Sequence, residues 1–268
     1  MTAYESLISQ VWLQKVRTSV KFVSRYLPQC EVILISFFCI SNDWNPREFS
    51  SLIWMIERWQ PALPVFIFDS VVTQLIMPKL TAAIDAWNPR KDPAPVHSWI
   101  LPWLPLVGAR TMEPLWIPIR HRLGIILADW EAEDPSGLIL VRPWKDVFKE
   151  EEFQSFLQKH IVPKLAFSLS QFVINPRDQQ LESFQSVVAW RQIVPVNDMA
   201  KLFDQYFFPN WLRTLRMWLQ EASSPNYEEI IRWHQGWKSL FPAELLAHPL
   251  VKEKFVAALE IMNAAVRD

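Results

Sequence analysis

The chain has 268 residues, a formal net charge of −1 and an apolar content of 50%, so it has the material for a sizeable core. It lacks the strong basicity that is typical of nucleic-acid-binding domains. Only 4 residues are glycine, whereas 21 are proline and 15 are tryptophan. So few glycines exclude collagen-like and Gly-rich linker sequences and argue against a many-stranded β-sandwich, and so many aromatic residues argue against disorder.

The N-terminal part carries information about the cellular compartment. Cys30 and Cys39 lie in an apolar stretch. On a helix, their spacing corresponds to about 13.5 Å of rise, which is too far for a disulfide, so we expect two reduced thiols in a reducing compartment. The longest apolar run, Val32 to Ile40, is about half as long as a membrane-spanning helix and predicts a buried helix. No secretory signal is recognisable, and the abrupt ends suggest a fragment of a longer protein.

A tryptophan and a proline recur together at one fixed interval. Each of four tryptophans is followed nineteen positions later by a proline; the pairs are Trp59 and Pro78, Trp99 and Pro118, Trp144 and Pro163, and Trp190 and Pro209. The tetrapeptide Trp-Asn-Pro-Arg occurs at 44–47 and again at 87–90, and Asn-Pro-Arg returns at 175–177. Periods of this length are typical of stacked helical pairs or of four-stranded propeller blades.

The pattern inside a repeat is helical. Apolar residues follow the helical i, i+3, i+4 spacing in most segments, for example at Phe153, Phe156, Leu157 and Ile161, and alternation typical of strands is hard to find. The Asn-Pro pairs are expected to end helices, because the residue before a proline avoids the α region. Helix caps are predicted at Asn197 or Asp198 and at Asn226.

We therefore predict an all-α fold in which helical hairpins form a right-handed superhelical stack, an α-solenoid of HEAT or armadillo type. About five repeats of roughly 40–47 residues are expected over a single region, 1–268. They start near Trp12, Trp59, Trp99, Trp144 and Trp190, and a terminal unit covers 233–268. Each recurrent proline should kink a long helix or begin its second piece, and the recurrent tryptophans should pack in the core.

The sequence contains no motif of a known catalytic, nucleotide or zinc site. Its candidate chemical groups are better explained as core or surface residues. The isolated histidines are His97, His121, His160, His234 and His248. The acids in apolar company are Asp69, Asp85 and Asp129, which could form a general acid–base pair but more simply lie on solvated helix faces. The basic residues that could meet phosphate are Arg110, Arg120, His121, Arg122, Arg213 and Arg216, and nearby acids argue for ordinary surface. We predict no catalytic, cofactor-binding or metal site.

Several longer strings resemble one known family. The most specific strings are Pro-Trp-Lys-Asp-Val-Phe at 143–148 and Pro-Asn-Tyr-Glu-Glu-Ile at 225–230. Further strings agree in their order along the chain and in their residues, at 97–105, 161–165 and 236–241. Together they resemble the GC-rich-sequence DNA-binding-factor-like region of the septin- and tuftelin-interacting protein family, over nearly the whole chain.

The resemblance implies a nuclear, non-enzymatic scaffold that docks spliceosomal proteins and acts with a DEAH-box RNA helicase in disassembling the late, intron-lariat spliceosome. Family members engage the helicase mainly through a glycine-rich patch, the G-patch, which four scattered glycines cannot form here. The resemblance supplies no catalytic or cofactor residue and leaves the partner-binding residues unknown. The balanced charge gives the "DNA-binding" part of the name no support; a helical-repeat RNA-binding module stays the alternative.

Overall fold

The computed structural model describes residues 44–62, 65–221 and 226–267. Within these ranges every regular element is a helix and no β-strand occurs, which confirms the all-α prediction. No helix there is both long and apolar enough to cross a bilayer. Trp12, the two cysteines and the apolar run at 32–40 lie outside the described residues. The chain divides into two compact units between Pro118 and Ile119.

From residue 44 onward, the first unit contains one order of elements twice: a short helix, a 3₁₀ turn and a longer, interrupted helix. The first copy consists of α1 (Ser50–Trp59), the turn Gln60–Ala62, α2 (Val65–Val71), the π-helical turn Val72–Ile76 and α3 (Met77–Ala86). The second copy consists of α4 (Val96–Ile100), the turn Leu101–Trp103, α5 (Leu104–Val107) and α6 (Ala109–Ala128), whose last residues belong to the second unit. Gly108 separates α5 from α6 with a φ of 88°, a conformation that glycine adopts readily.

The second unit contains the same order twice more. Its first copy has α7 (Ser136–Val141), the turn Arg142–Trp144, α8 (Glu150–His160) and α9 (Val162–Gln171). Its second copy has α10 (Glu182–Ala189), the turn Trp190–Gln192, α11 (Val196–Leu202), the π-helical turn Phe203–Phe207 and α12 (Phe208–Glu221). Three further helices follow, namely α13 (Tyr227–Leu240), α14 (Ala243–Ala247) and α15 (Pro249–Arg267).

Of the two predicted helix caps, one is present in the structure and the other is not. The side chain of Asn226 accepts a hydrogen bond from the N–H of Glu229 at 3.3 Å, which confirms the predicted cap of α13. The cap prediction for Asn197 and Asp198 is wrong, because α11 already begins at Val196. Both residues lie in its first turn, where an acid still interacts favourably with the helix dipole.

The four recurrent prolines occupy two kinds of place. Pro78, Pro163 and Pro209 are each the second residue of a helix and follow an irregular turn. For Pro163, which follows a break at Ile161, the missing N–H costs little, because the N–H groups of a first helical turn have no intrahelical partner. Pro78 and Pro209 instead follow π-helical turns that continue directly into their helices, where the N–H groups of Met77 and Phe208 still bond to Val72 and Phe203. Pro118 instead lies inside α6, so a helix start is wrong for this proline, and a kink there stays a prediction.

Three of the recurrent tryptophans are buried but not equivalent, and the side chain of Trp59 lies outside the described ones. Trp99, Trp144 and Trp190 are at most 2% exposed, which confirms that they belong to the core. Trp99 lies in α4, Trp144 ends a 3₁₀ turn and Trp190 begins one. The residue that matches Trp144 in place is Trp103, which is fully buried at the end of its own turn.

A recurrent turn marks the loops that precede each copy of the element order. The side-chain oxygens of Asn45, Asn88, Asp134 and Asn175 accept hydrogen bonds from the N–H two residues on, at 3.1, 3.1, 2.8 and 3.1 Å, with a proline between. This is an Asx-turn. The Asn-Pro pairs identify three of these turns in the sequence. The fourth carries Asp in place of Asn and was missed.

Candidate functional site

The five histidines lie in separate helices or loops. In the second unit, burial lowers the pKa of both His160 and His234. The ring of His234 is 6% exposed and packs between Trp211 at 5.7 Å and Phe255 at 5.6 Å, so it is a core residue as predicted. In the first unit, burial likewise lowers the pKa of His97. Across the described residues, no three His, Cys, Asp or Glu side chains are grouped to hold a metal ion.

The three acids that the sequence places in apolar company lie on the surface. Asp69, Asp85 and Asp129 are all exposed, as the solvated-face interpretation predicts. The carboxylates with a clear environment are elsewhere. A hydrogen bond from the Ser168 hydroxyl, at 2.7 Å, lowers the pKa of Glu133, and the Ser136 hydroxyl does the same for Asp134. These bonds hold loops and helices together.

The predicted basic cluster is only partly available to a ligand. Arg120 forms an ion pair with Glu152 at 2.5 Å, and its guanidinium lies 5.2 Å from the ring centre of Phe148. Arg213 donates a hydrogen bond to Asn210 at 2.8 Å. Arg120 is therefore held by Glu152 and by the ring of Phe148, which favours a structural role over a phosphate contact.

The second unit contains a groove where α6 and α8 approach each other closely at Gly124. A methyl group added at Gly124 would lie 2.7 Å from Cε1 of His160, so a larger residue could not occupy this place without moving the ring. The His160 ring in turn packs on Phe156 at 4.9 Å. Beside this contact lies a groove of about 430 Å³, the α6–α8 groove, whose walls include Arg120, His121, Ile125, Glu152, Phe156 and Lys159.

The α6–α8 groove combines an apolar floor with a positive rim. Ile125 is 47% exposed and Ala128 lies one turn further along the same wall. Lys159 stands on the α8 side, and Lys164 donates from Nζ to the carbonyl of Ala128 at 2.7 Å, at one end of the groove. The one carboxylate in the lining, Glu152, is neutralised by its ion pair with Arg120.

Two further grooves of the second unit differ in charge. One of about 400 Å³ lies between α8–α9 and α11, where Lys201 pairs with Asp198 at 3.5 Å, and Gln158 donates to that carboxylate at 2.8 Å. The other, of about 220 Å³, follows α9 and includes Asp178 and Glu182. The first is thus balanced and the second is acidic, so the α6–α8 groove is the positive one of the three.

The sequence did not reveal the α6–α8 groove, because its residues belong to two helices that only packing brings together. One signal was available. Gly124 is a lone glycine within an apolar helical pattern, and such a residue usually marks a close packing contact. His121 and Arg120 were weighed in the sequence as a basic cluster, whereas Ile125 and Lys159 were missed.

The chain is similar to known proteins over most of its length. The family model described as GC-rich sequence DNA-binding factor-like protein matches residues 26–215, which include the whole α6–α8 groove. Tuftelin-interacting protein 11 of Bos taurus is 41% identical over 264 residues, covering 98% of this chain and 29% of that protein. The Gallus gallus relative of the same name is 44% identical over 227 residues, or 85% of this chain and 27% of that protein. The Danio rerio relative is 43% identical over 266 residues, or 99% and 29%. The chain therefore spans less than a third of the length of these relatives.

Proposed function

The chain belongs to the GC-rich sequence DNA-binding factor-like family, as a relative of tuftelin-interacting protein 11, and from this premise we propose that it is a non-enzymatic protein-docking scaffold of a pre-mRNA splicing factor. The observation that carries the proposal is the family match over residues 26–215. The relatives are named for an interaction with another protein, which agrees with a docking role.

We further propose that the repeated helices stack as an α-solenoid. In support, two lysines that each follow a recurrent proline donate to backbone carbonyls 35 and 36 residues earlier in the chain. Lys79 follows Pro78 and donates from Nζ to the carbonyl of Trp44 at 3.3 Å, and Lys164 follows Pro163 and donates to the carbonyl of Ala128 at 2.7 Å. Trp44 directly precedes the Asx-turn at Asn45, and Ala128 lies six residues before the one at Asp134. Contacts that recur at a nearly constant sequence separation are expected of stacked repeats.

The surface of the second unit suits docking better than catalysis. Its two larger grooves are open to solvent, and they lie between helices of successive copies of the element order. Ligand-binding pockets of enzymes are usually concave sites that enclose most of the ligand and present a few convergent polar groups. An extended series of open grooves is instead what helical-repeat proteins use to bind other proteins.

The specific setting that we propose is nuclear. The scaffold would dock spliceosomal proteins during disassembly of the late, intron-lariat spliceosome, in concert with a DEAH-box RNA helicase. Activation of that helicase would depend on a G-patch, and this chain is too poor in glycine to contain one. Docking and activation would thus reside in different segments.

Two assays on the purified chain test this division of roles. In the first, the chain is used to capture purified late-stage spliceosomal proteins, and we expect capture of defined components. In the second, the ATPase rate of the DEAH-box helicase with RNA is measured with and without the chain, and we expect no stimulation. Stimulation comparable to that by a G-patch peptide would contradict the division of roles. RNA binding that weakens steeply with salt, in the absence of protein capture, would favour the RNA-binding alternative.

A further inference from the structure

We propose that the α6–α8 groove binds an acidic peptide segment of a partner protein, with an aliphatic side chain against Ile125 and carboxylates toward Lys159 and Lys164. The proposal rests on the docking function proposed above and adds the chemistry of the segment that is bound. The reasons are the charge of the rim, the form of the floor and the contrast with the neighbouring grooves.

Charge complementarity selects an acidic partner. The Arg120–Glu152 pair cancels within the groove and leaves Lys159 as the uncompensated charge of the lining. Lys164 adds a second positive group at the end formed by Ala128. His121, which is exposed on the α6 wall, can also donate a hydrogen bond to a carboxylate. Complementary charges of this kind steer association and fix the register of a bound segment.

The floor of the groove selects an aliphatic side chain. Ile125 is an exposed apolar residue of α6, and covering it removes apolar surface from water. The Gly124–His160 contact fixes the distance between the two helices, because the His160 ring fills the space that a Cβ would need. The α6–α8 groove is therefore preformed, so binding imposes little additional ordering, and little entropic cost, on the protein.

The same features argue against single-stranded RNA as the occupant. Proteins that bind single strands combine positive charge with exposed aromatic rings on which bases stack. The two phenyl rings beside this groove, Phe148 and Phe156, are 5% and 6% exposed, and Phe148 is already covered by Arg120. The groove thus offers charges for carboxylates and an aliphatic surface, but its phenyl faces are not open for stacking.

A peptide selection tests the proposal directly. A random dodecapeptide library displayed on phage is selected against the purified chain at low salt. The enriched peptides are then synthesised with a fluorescent label, and their binding is measured by anisotropy. Wild type is compared with Lys159→Glu and with Lys252→Glu. Lys252 is exposed on α15 and outside the groove, so the second variant carries the same charge change without altering the site.

We expect the enriched peptides to combine Asp or Glu with Leu, Ile or Met. Their affinity should fall by about tenfold or more in Lys159→Glu, and it should change by less than about twofold in Lys252→Glu. Ile125→Ser should also weaken binding, and circular dichroism of each variant should match wild type. Enrichment of basic or neutral peptides, or equal losses in both lysine variants, would overturn the proposal. So would preferential binding of a labelled RNA oligonucleotide that Lys159→Glu abolishes. Because capture of spliceosomal proteins by the whole chain is measured separately, the docking function can survive failure of this groove assignment.

Discussion

Replacing Gly137 by alanine should destabilise the second unit through one side chain. Gly137 lies in the first turn of α7, and a methyl group there would be 2.3 Å from Cε2 and 2.5 Å from Nε1 of Trp130. The indole has little freedom to move. Its Nε1 donates to the carbonyl of Asp134 at 2.8 Å, and its ring packs edge-on against Trp190 at 5.4 Å. The substitution should therefore displace the Trp130 ring and disturb both contacts.

The size of the effect follows from three contributions. Overpacking of a core usually costs about 1–3 kcal/mol, and loss of the indole hydrogen bond adds about 0.5–1.5 kcal/mol. The preference of a helix for alanine over glycine offsets at most about 1 kcal/mol. Together they predict that the free energy of unfolding falls by about 0.5–4.5 kcal/mol in Gly137→Ala.

Gly236 supplies a matched control for this prediction. It lies within α13, where an added methyl group would meet no atom within 4 Å. Gly236→Ala should therefore raise the free energy of unfolding by about 0.5–1 kcal/mol. Urea unfolding followed by circular dichroism compares the two variants with wild type. If Gly137→Ala proves as stable as Gly236→Ala, the packing of Trp130 against α7 is refuted.

Three further perturbations test the core, the repeat contact and the buried histidines. Trp144→Ala should lower the free energy of unfolding by about 3–5 kcal/mol, since the ring is fully buried and stacks on Phe148 at 4.9 Å. A melting temperature within about a degree of wild type would contradict this. Lys164→Met should lower the free energy of unfolding by about 0.5–1.5 kcal/mol, because it removes the hydrogen bond to the Ala128 carbonyl. An unchanged urea midpoint would show that this contact does not stabilise the fold. Burial lowers the pKa of His234 in the folded protein, so as the pH falls this histidine is protonated in the unfolded chain before it is protonated in the folded one. The free energy of unfolding should therefore decrease as the pH falls below about 6.5. The melting temperature measured from pH 7.5 to 5.5 tests this pH dependence, and a melting temperature that stays constant or rises at lower pH would contradict it.

The helical class and the recurrence of elements were readable from the sequence, because apolar spacing reports directly on a helix face. The exact role of each recurrent residue was not. Pro118 shares its interval with Pro163, yet it lies inside a helix and not at a helix start, which the recurrence of the proline alone did not distinguish. Trp99 and Trp144 share the same interval but lie in different elements, since several places in a repeat can bury an indole.

The candidate site was harder to predict than the fold. A groove between α6 and α8 depends on how closely two helices pack, and that distance is set by Gly124 and His160 together. The sequence showed each of these residues alone, so His160 was interpreted simply as a core histidine. Its ring is in fact half-buried and forms part of a groove wall. The charge of the rim also depends on which carboxylate pairs with Arg120, which only the packed structure specifies.

Crosslinking within purified late-stage spliceosomes tests the central claim most directly. Lysine-reactive crosslinkers followed by mass spectrometry would map the protein neighbours of this chain, and ultraviolet crosslinking of the same sample would map its RNA neighbours. We predict protein crosslinks from the groove-bearing face of the second unit, including Lys159, to acidic segments of other spliceosomal proteins. Predominant crosslinks to RNA from that face, without protein neighbours, would contradict the docking function.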